Sequence, residues 1–308
     1  MIMRNKSRLD RAYARLLRDH PYGWALYKKF TADELRPGCC GYFDSDGDWH
    51  LIVDLTAGRD SITSRGWTAP SDKLAESMDE EPKFTLNWGP KKSNSVVSHQ
   101  IGAEVAANIL SPISPTVKMM FTCEKDEGAV LTVQNPVSRH LVPDESATME
   151  WMKENRAAML KRYRRVVETH GIWILNKTYT TTRSGVAVML SKSSAVEIGL
   201  GASVPGLATL MPSSAWGSAR GDLAAEVHED DGGVVVFVSG VYFSKKLWRS
   251  ELRPVVGTET QVRKIFRGDS FRPGSGEEIE DEDEAGEAEG ESESKDEDED
   301  EDFEIEII

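Results

Sequence analysis

Residues Ser184 to Gly206 read SGVAVMLSKSSAVEIGLGASVPG, a stretch long for a strand and poor in the spacing a helix requires. From Val196 the apolar side chains fall on alternate positions, Val196, Ile198, Leu200, Ala202 and Val204, and between them stand Glu197, Gly199, Gly201 and Ser203. A period of two puts successive side chains on opposite faces of a strand, so the segment is a ribbon with one apolar and one hydrophilic face. Such a ribbon has two physical uses. In a soluble protein its apolar face packs on a core. In a pore the same face meets lipid and the other meets water. A membrane-spanning strand takes about 9 to 11 residues, which the stretch supplies. Alternation by itself does not choose between the two.

A second ribbon lies upstream. Val97, His99, Ile101, Ala103, Val105, Ala107 and Ile109 alternate with polar or small residues. After the break SPISP, Val117, Met119, Phe121 and Cys123 alternate with Thr116, Lys118, Thr122 and Glu124, Met120 being the exception. The two segments read as an antiparallel pair. Gly102, Ala106, Gly199 and Gly201 on the polar faces suit a curved barrel wall and a bulged soluble sheet equally. If the ribbons do meet lipid, the residues that would face it are Val97, Ile101, Val105, Ile109, Val117, Met119, Phe121, Val186, Val188, Val196, Ile198 and Leu200.

Around these ribbons the chain alternates helices and strands. NKSRLDRAYARLLRDH places Leu9, Ala12, Tyr13, Leu16 and Leu17 at i, i+3, i+4, i+7 and i+8, one apolar stripe of an amphipathic helix. Its remaining surface carries Arg4, Lys6, Arg8, Arg11, Arg15 and Arg18 against Asp10 and Asp19. PGCCGYFDSDGDWHLIVDL predicts two short strands about a turn at Asp46-Gly47. Asp144 or Ser146 caps a second helix, ATMEWMKENRAAMLKRYRRVVETH, with Met152, Leu160, Tyr163 and Val167 toward the core and Lys161, Arg162, Arg164 and Arg165 as a second basic cluster. GIWILNKTYTT is a strand, and GGVVVFVSGVYF, the most apolar one, belongs at the centre of a sheet.

Charge divides the chain. Residues 275–308 hold 20 Asp and Glu against one Lys, whereas the first 274 residues hold 36 Lys and Arg against 32 acids. A mildly basic body carries a strongly acidic tail that cannot bury enough apolar surface to fold alone, apart from the alternating DFEIEII at its end. No apolar run follows the basic MIMRNKSRLDR, and no window approaches the roughly 18 apolar residues of a spanning helix, so the chain reads as soluble and cytosolic. Cys39, Cys40 and Cys123 fit neither a disulfide framework nor a zinc site and read as reduced, small apolar residues.

Catalytic and cofactor chemistry finds no purchase. DSDGDW has Gly47 too early for a calcium loop and lacks its closing Glu, so a tight turn is the reading. GASVPG carries Pro205 where a nucleophile elbow needs its second glycine. Phosphate-cradling loops and paired-His metal motifs are missing, so neither enzyme activity nor a cofactor is expected. The basic helix faces are a solvated surface or a site for an anionic partner. A body with this slight basic excess and no recognition motif argues against nucleic acid, and the adjoining Tyr13, Leu16 and Leu17 are of the kind interfacial helices put into acidic lipid, or that a core absorbs.

In the order of its elements the chain resembles the gasdermin pore-forming domain, particularly the fungal gasdermin-like proteins of regulated cell death. GIWILNKTYTTTRSGVAVMLSKSSAVEIGLGAS is similar to the family's strand leading into its second inserting hairpin. VVSHQIGAEVAANI matches the style of its first hairpin, and EVHEDDGGVVVFVSGVYF its late turn and apolar strand; the likeness spans about residues 4 to 252. It implies an α+β fold with a twisted, mostly antiparallel sheet and amphipathic helices, divided into a pore-forming domain over 1–254, a linker over 255–276 and an acidic, disordered inhibitory tail over 277–308. It further implies a protein held inactive in the cytoplasm until a protease removes a C-terminal segment. The freed body would then bind acidic lipids at the plasma membrane or another acidic membrane, form a homo-oligomer and insert two hairpins. The family's first-helix basic residues map onto Arg8, Arg11 and Arg15, with Lys161 to Arg165 as the second cluster. Animal members carry a large folded inhibitory domain where this chain has about fifty mostly acidic residues. Such a tail is a tethered polyanion at about millimolar effective concentration, competing with lipid, while FEIEII is suited to docking as an added strand or an apolar plug. The competing expectation is a soluble acidic-tailed interaction module, such as a chaperone for a basic protein.

Overall fold

A computed structural model describes residues 6–72, 74, 84–101, 116–142, 144–204, 207–210, 222–245 and 303–307. The fold is α+β, with two mostly antiparallel sheets and few helices. Helix α1 runs Lys6–Leu16. Strands β1 (Trp24–Ala25), β2 (Cys39–Phe43) and β3 (Trp49–Asp54) follow, then a short helix α2 (Arg59–Ser64). Next come β4 (Phe84–Leu86), β5 (Lys91–Lys92), β6 (Val96–Ile101), β7 (Thr116–Cys123), β8 (Gly128–Val133) and β9 (Val137–Leu141). Helix α3 spans Glu145–Thr169. The chain continues with β10 (Ile172–Met189), β11 (Ala195–Val204), β12 (Leu207–Leu210), β13 (Leu223–Lys245) and β14 (Phe303–Ile307).

The long strands β10 and β13 form the spine. They pair antiparallel from Ile172↔Phe243 to Met189↔Leu223, with three register shifts between Leu175 and Arg183. Along its other edge β10 meets β2, β9 and β8 in turn. The apolar VVVFV run of β13 lies at the centre of this sheet as its sequence predicts, with Val234 to Val238 all at most 1 % exposed. Its second edge is covered by β1 and, further along, by β14. Close packing of the two spine strands fixes one glycine: a Cβ on Gly240 would lie 1.9 Å from the Ile174 carbonyl oxygen.

Both basic helices bury the stripe their periodicity defines. On α1 and just beyond it, Leu9, Tyr13 and Leu17 are buried against Ala129, Leu131, Val186, Val188 and Val236 of the large sheet. The apolar face of α1 is therefore part of the core. Asp144 caps α3, its carboxylate accepting from the N–H groups of Ser146 and Ala147. Met152 and Val167 are buried as the spacing requires and Leu160 and Tyr163 partly so, together with Trp151 and Met159, against Ile172, Ile174, Val241 and Phe243. The β2–β3 hairpin turns at Gly47 (φ 79°), where the Asp44 carboxylate accepts the N–H groups of Asp46 and Asp48.

The second sheet has four strands in the order β12-β11-β7-β6. It packs on the large sheet through Phe121, Cys123, Val196 and Ile198, which meet Val130, Ala187 and Met189. Ser184–Gly206, read from its alternation as one ribbon, is divided between the two sheets. Ser184–Met189 ends β10 in the large sheet, and the ribbon begins again at Ala195 as β11. Between them Ser194 and Ser191 bond to each other (2.8 Å), the Leu190 N–H donates to the Asp222 carbonyl, and Ser193 adopts a left-handed φ of 70°. Residues 191–194 are all polar, but the apolar positions on either side of them, Val186 and Val188 before and Val196 and Ile198 after, keep one parity, which is why the sequence reads as a single ribbon. At the chain end, DFEIEII had two docking modes open to it, and the structure takes the added strand: Phe303–Ile307 pairs with Lys245–Val241.

Candidate functional site

The two hairpins, far apart in sequence, join edge to edge through β7 and β11. Val196 lies opposite Phe121, Ile198 opposite Met119 and Leu200 opposite Val117. Leu200 in turn lies opposite Leu210, and Ala202 opposite Ala208. Directly opposed residues of an antiparallel pair share a face, so β7, β11 and β12 carry one continuous set of apolar rows. Where the side chains are described, this face is the buried one: Phe121 is 0 %, Val196 1 % and Ile198 2 % exposed. The alternate rows hold Thr122 with Ala195, Met120 with Glu197 and Lys118 with Gly199.

Strand β6 breaks the pattern that its sequence suggests. Its apolar positions read as in phase with those of β7, but the register sets Val97 opposite Thr122, His99 opposite Met120 and Ile101 opposite Lys118. Phe121 and Met119 instead face Ser98 and Gln100. The reason lies at the start of the strand. Val96 is 1 % exposed in the core, the Glu124 N–H donates to the Ser95 carbonyl (2.9 Å), and the Ser95 and Ser93 hydroxyls bond to each other (2.8 Å). Ser93 Oγ also accepts the Ala129 N–H (3.1 Å). This anchor sets the phase of β6.

Of the residues expected to face lipid, β7 and β11 bring Val117, Met119, Phe121, Val196, Ile198 and Leu200 together. Val97 and Ile101 are in the same sheet on the alternate rows. Val186 and Val188 stand apart, fully buried in the spine between β8 and β13. Val105 and Ile109 lie outside the described residues, as does Arg4.

The described basic candidates occupy α1, the turn just after it and the second half of α3. Lys6 and Arg8 are in the first turns of α1. Arg11 donates to the Ser45 carbonyl (3.3 Å), and Arg15 pairs with Glu127. Arg18 is exposed, 3.8 Å from Asp19. On α3, Lys161, Arg162, Arg164 and Arg165 are all exposed. Arg162 has a structural task that sequence spacing did not disclose: it donates to the Arg65 and Gly66 carbonyls (2.7 and 3.0 Å) and lies over the Trp67 ring at 4.6 Å. Arg164 pairs with Glu168 one turn on (3.3 Å). Burial holds the imidazole of His170, which caps α3, below its usual range, and the nearby charges of His50 and Arg11 act in the same direction against the pull of Asp44.

Cys39 and Asp54 serve the fold. Burial raises the Cys39 thiol to about 11, and all three cysteines are buried and free. Burial works to raise the Asp54 carboxyl, but hydrogen bonds from Thr56 and Arg36 outweigh it and hold the group below its usual value. Among the described residues no helix is long and apolar enough to cross a membrane, a criterion that does not bear on strands.

No protein-family model matches the chain, and no curated protein matches it. Among solved structures it is similar to the one described as "Cryo-EM structure of the Gasdermin A3 membrane pore", at 12 % identity and a TM-score of 0.27, over 84 % of this chain and 98 % of that one.

Proposed function

We propose that the chain is a gasdermin-like pore-forming protein, restrained in its cytosolic form by its own C-terminal segment. A protease cuts the linker between 256 and 274. The freed body binds acidic membrane lipid through the basic residues of α1 and α3 and assembles with further copies of itself. The small sheet then exchanges its seat on the core for the lipid of a membrane, where the assembled copies permeabilise it and kill the cell. Nucleic acid, metal and cofactor have no part in this reading.

The observation that carries it is the joining of two sequence-remote hairpins through β7 and β11 into one antiparallel sheet with continuous apolar rows. A membrane accepts strands only when every backbone group is paired and an apolar face meets lipid, and the two inner strands of this sheet, β7 and β11, already have a partner on either side and an apolar face. The seat of β14 on the edge of β13 supports the restraint, because it ties the last residues of the acidic segment to the spine. The test uses the full chain with a specific protease site placed between 256 and 274, added to dye-loaded phosphatidylserine vesicles. Leakage is expected after cutting and not before, and phosphatidylcholine vesicles should stay sealed. A cut chain that binds no phosphatidylserine and releases no dye would refute the proposal.

The charge of residues 275–308 also favours a second reading, a binder of basic proteins in which the tail is the ligand. Charge reversal at Arg8, Arg11 and Arg15 separates the two, since it abolishes membrane activity and leaves a tail-mediated interaction intact.

A further inference from the structure

Strand β6 is one residue out of phase with the sheet it belongs to. In the resting fold its rows are Ser98–Phe121–Val196 and Gln100–Met119–Ile198 on the core side, and Val97–Thr122–Ala195, His99–Met120–Glu197 and Ile101–Lys118–Gly199 on the other. This is tolerable against a core, because Val96 fills the seat at the root of the strand while Gln100, further out, is exposed. It is not tolerable against lipid. A lipid-facing strand must be apolar at every second position, and in this register β6 would offer Ser98 and Gln100 to the bilayer while Val97 and Ile101 turned to water.

A slip of one residue moves Val97 and Ile101 onto the apolar rows and Ser98 and Gln100 off them, because the side-chain period of a strand is two, and leaves His99 as the one polar side chain of β6 on that face. With Val97 moved from Thr122 to Phe121, the rows become Val97–Phe121–Val196, His99–Met119–Ile198 and Ile101–Val117–Leu200–Leu210. The opposite face then gathers Ser98 with Met120 and Glu197, and Gln100 with Lys118 and Gly199. What holds the resting phase is local to residues 93–96: the buried Val96 side chain, the Glu124 N–H on the Ser95 carbonyl, and the Ser93–Ser95 hydroxyl pair that also takes the Ala129 N–H. We infer that conversion to the membrane form, on the reading given above, requires β6 to leave this anchor and slip by one residue along β7. The anchor at Ser93–Val96 is therefore a register lock, keeping the first hairpin unfit for lipid while it sits on the core.

Two cysteine pairs that share one partner test this, in the full chain with the inserted protease site and with Cys123→Ala to remove the nearest native thiol. Gln100→Cys with Met119→Cys links residues opposite each other in the resting register. His99→Cys with Met119→Cys links residues opposite only after the slip. Both pairs join the same neighbouring strands, so any difference between them reports register and not strand separation. In the resting protein the first pair should oxidise readily and the second poorly. After cutting on phosphatidylserine vesicles, oxidised Gln100→Cys/Met119→Cys should leak at least ten-fold more slowly than its reduced form, with the rate restored by dithiothreitol. The restoration also shows that the variant folds. His99→Cys/Met119→Cys should cross-link in assembled pores, and its oxidised and reduced forms should leak at the same rate as each other. Leakage from the oxidised resting-register pair at the reduced rate overturns the slip and leaves the pore reading standing. Failure of the reduced pairs and the parent chain alike to release dye overturns both.

Discussion

Replacing Ile198 by Ala asks whether the small sheet is held in the resting protein by its apolar face. Ile198 is 2 % exposed and sits with Phe121, Val196 and Met189 in the seam between the two sheets. Truncating a buried Ile to Ala costs about 2–5 kcal/mol, the lost transfer energy plus the cavity that remains once the seam has relaxed. For a folded body of this size each kcal/mol moves the melting midpoint by about 2–4 °C, so a fall of roughly 4–20 °C is expected by calorimetry of the full chain, with the lower half of that range corresponding to partial collapse. Lys192→Ala, in the exposed turn before β11, should move it by less than about 2 °C, as a surface change within ±0.5 kcal/mol does. In the proposed membrane form no cavity would remain at the same site, since lipid would fill the space. Ile198→Ala should therefore still permeabilise phosphatidylserine vesicles once cut, and faster than the parent, because the seat it leaves is weaker. Ile198→Asp puts an uncompensated charge into core and bilayer alike and should lower the midpoint while abolishing leakage. An Ile198→Ala midpoint within 1 °C of the parent would refute the reasoning, because the sheet would then owe nothing to this face.

Three further outcomes follow from other parts of the structure. Gly240→Ala drives a Cβ into the Ile174 carbonyl at the centre of the spine, which no side-chain movement relieves, and should cost about 3 kcal/mol or more, read as lost soluble yield or a midpoint lowered by more than about 6 °C. Asp54→Asn removes a carboxylate that accepts from Thr56 N–H (2.9 Å) and Thr56 Oγ1 (2.6 Å) and pairs with Arg36. The folded value of Asp54 lies below the unfolded 3.8, so its contribution is full above about pH 4 and fades as the pH falls through the folded value; denaturant titrations should show the variant about 1–3 kcal/mol weaker at pH 7 and the gap closing toward pH 2. Arg8→Glu/Arg11→Glu/Arg15→Glu breaks the Arg15–Glu127 pair and the Arg11 contact to Ser45, surface interactions worth about 0–1 kcal/mol each, so folding should survive while sedimentation with phosphatidylserine vesicles is lost. Unchanged sedimentation would move lipid binding away from α1.

Local periodicity disclosed much of this fold. The α1 stripe, the Asp144 cap of α3, the Asp46-Gly47 hairpin and the central place of the VVVFV strand all depend on neighbours within a few residues, and the structure has each of them. What escaped depends on distant partners. The turn at Ser191–Ser194 is set by contacts to Cys123 and Asp222, so apolar positions of one parity on both sides of it concealed a change of sheet. The phase of β6 is set by Ser95 and Val96 against Glu124 and the core, which no alternation within β6 records. Val186 and Val188 alternate as a lipid-facing strand does, yet they lie between β8 and β13 with α1 over them, because a central strand covered on both faces can look the same locally. Arg162 looked like one more basic side chain; its carbonyl partners lie 96 and 97 residues away.

Electron microscopy of the full chain, cut in place between 256 and 274 on phosphatidylserine vesicles, bears on the proposed function with the fewest intermediate assumptions. Ring-shaped assemblies with an open lumen are expected after cutting, absent from the uncut chain and from phosphatidylcholine vesicles, and absent when Ile198 is Asp. A cut chain that stays monomeric on the same vesicles, or that forms no rings while the vesicles remain sealed, would contradict the proposal that the small sheet trades its core for a membrane.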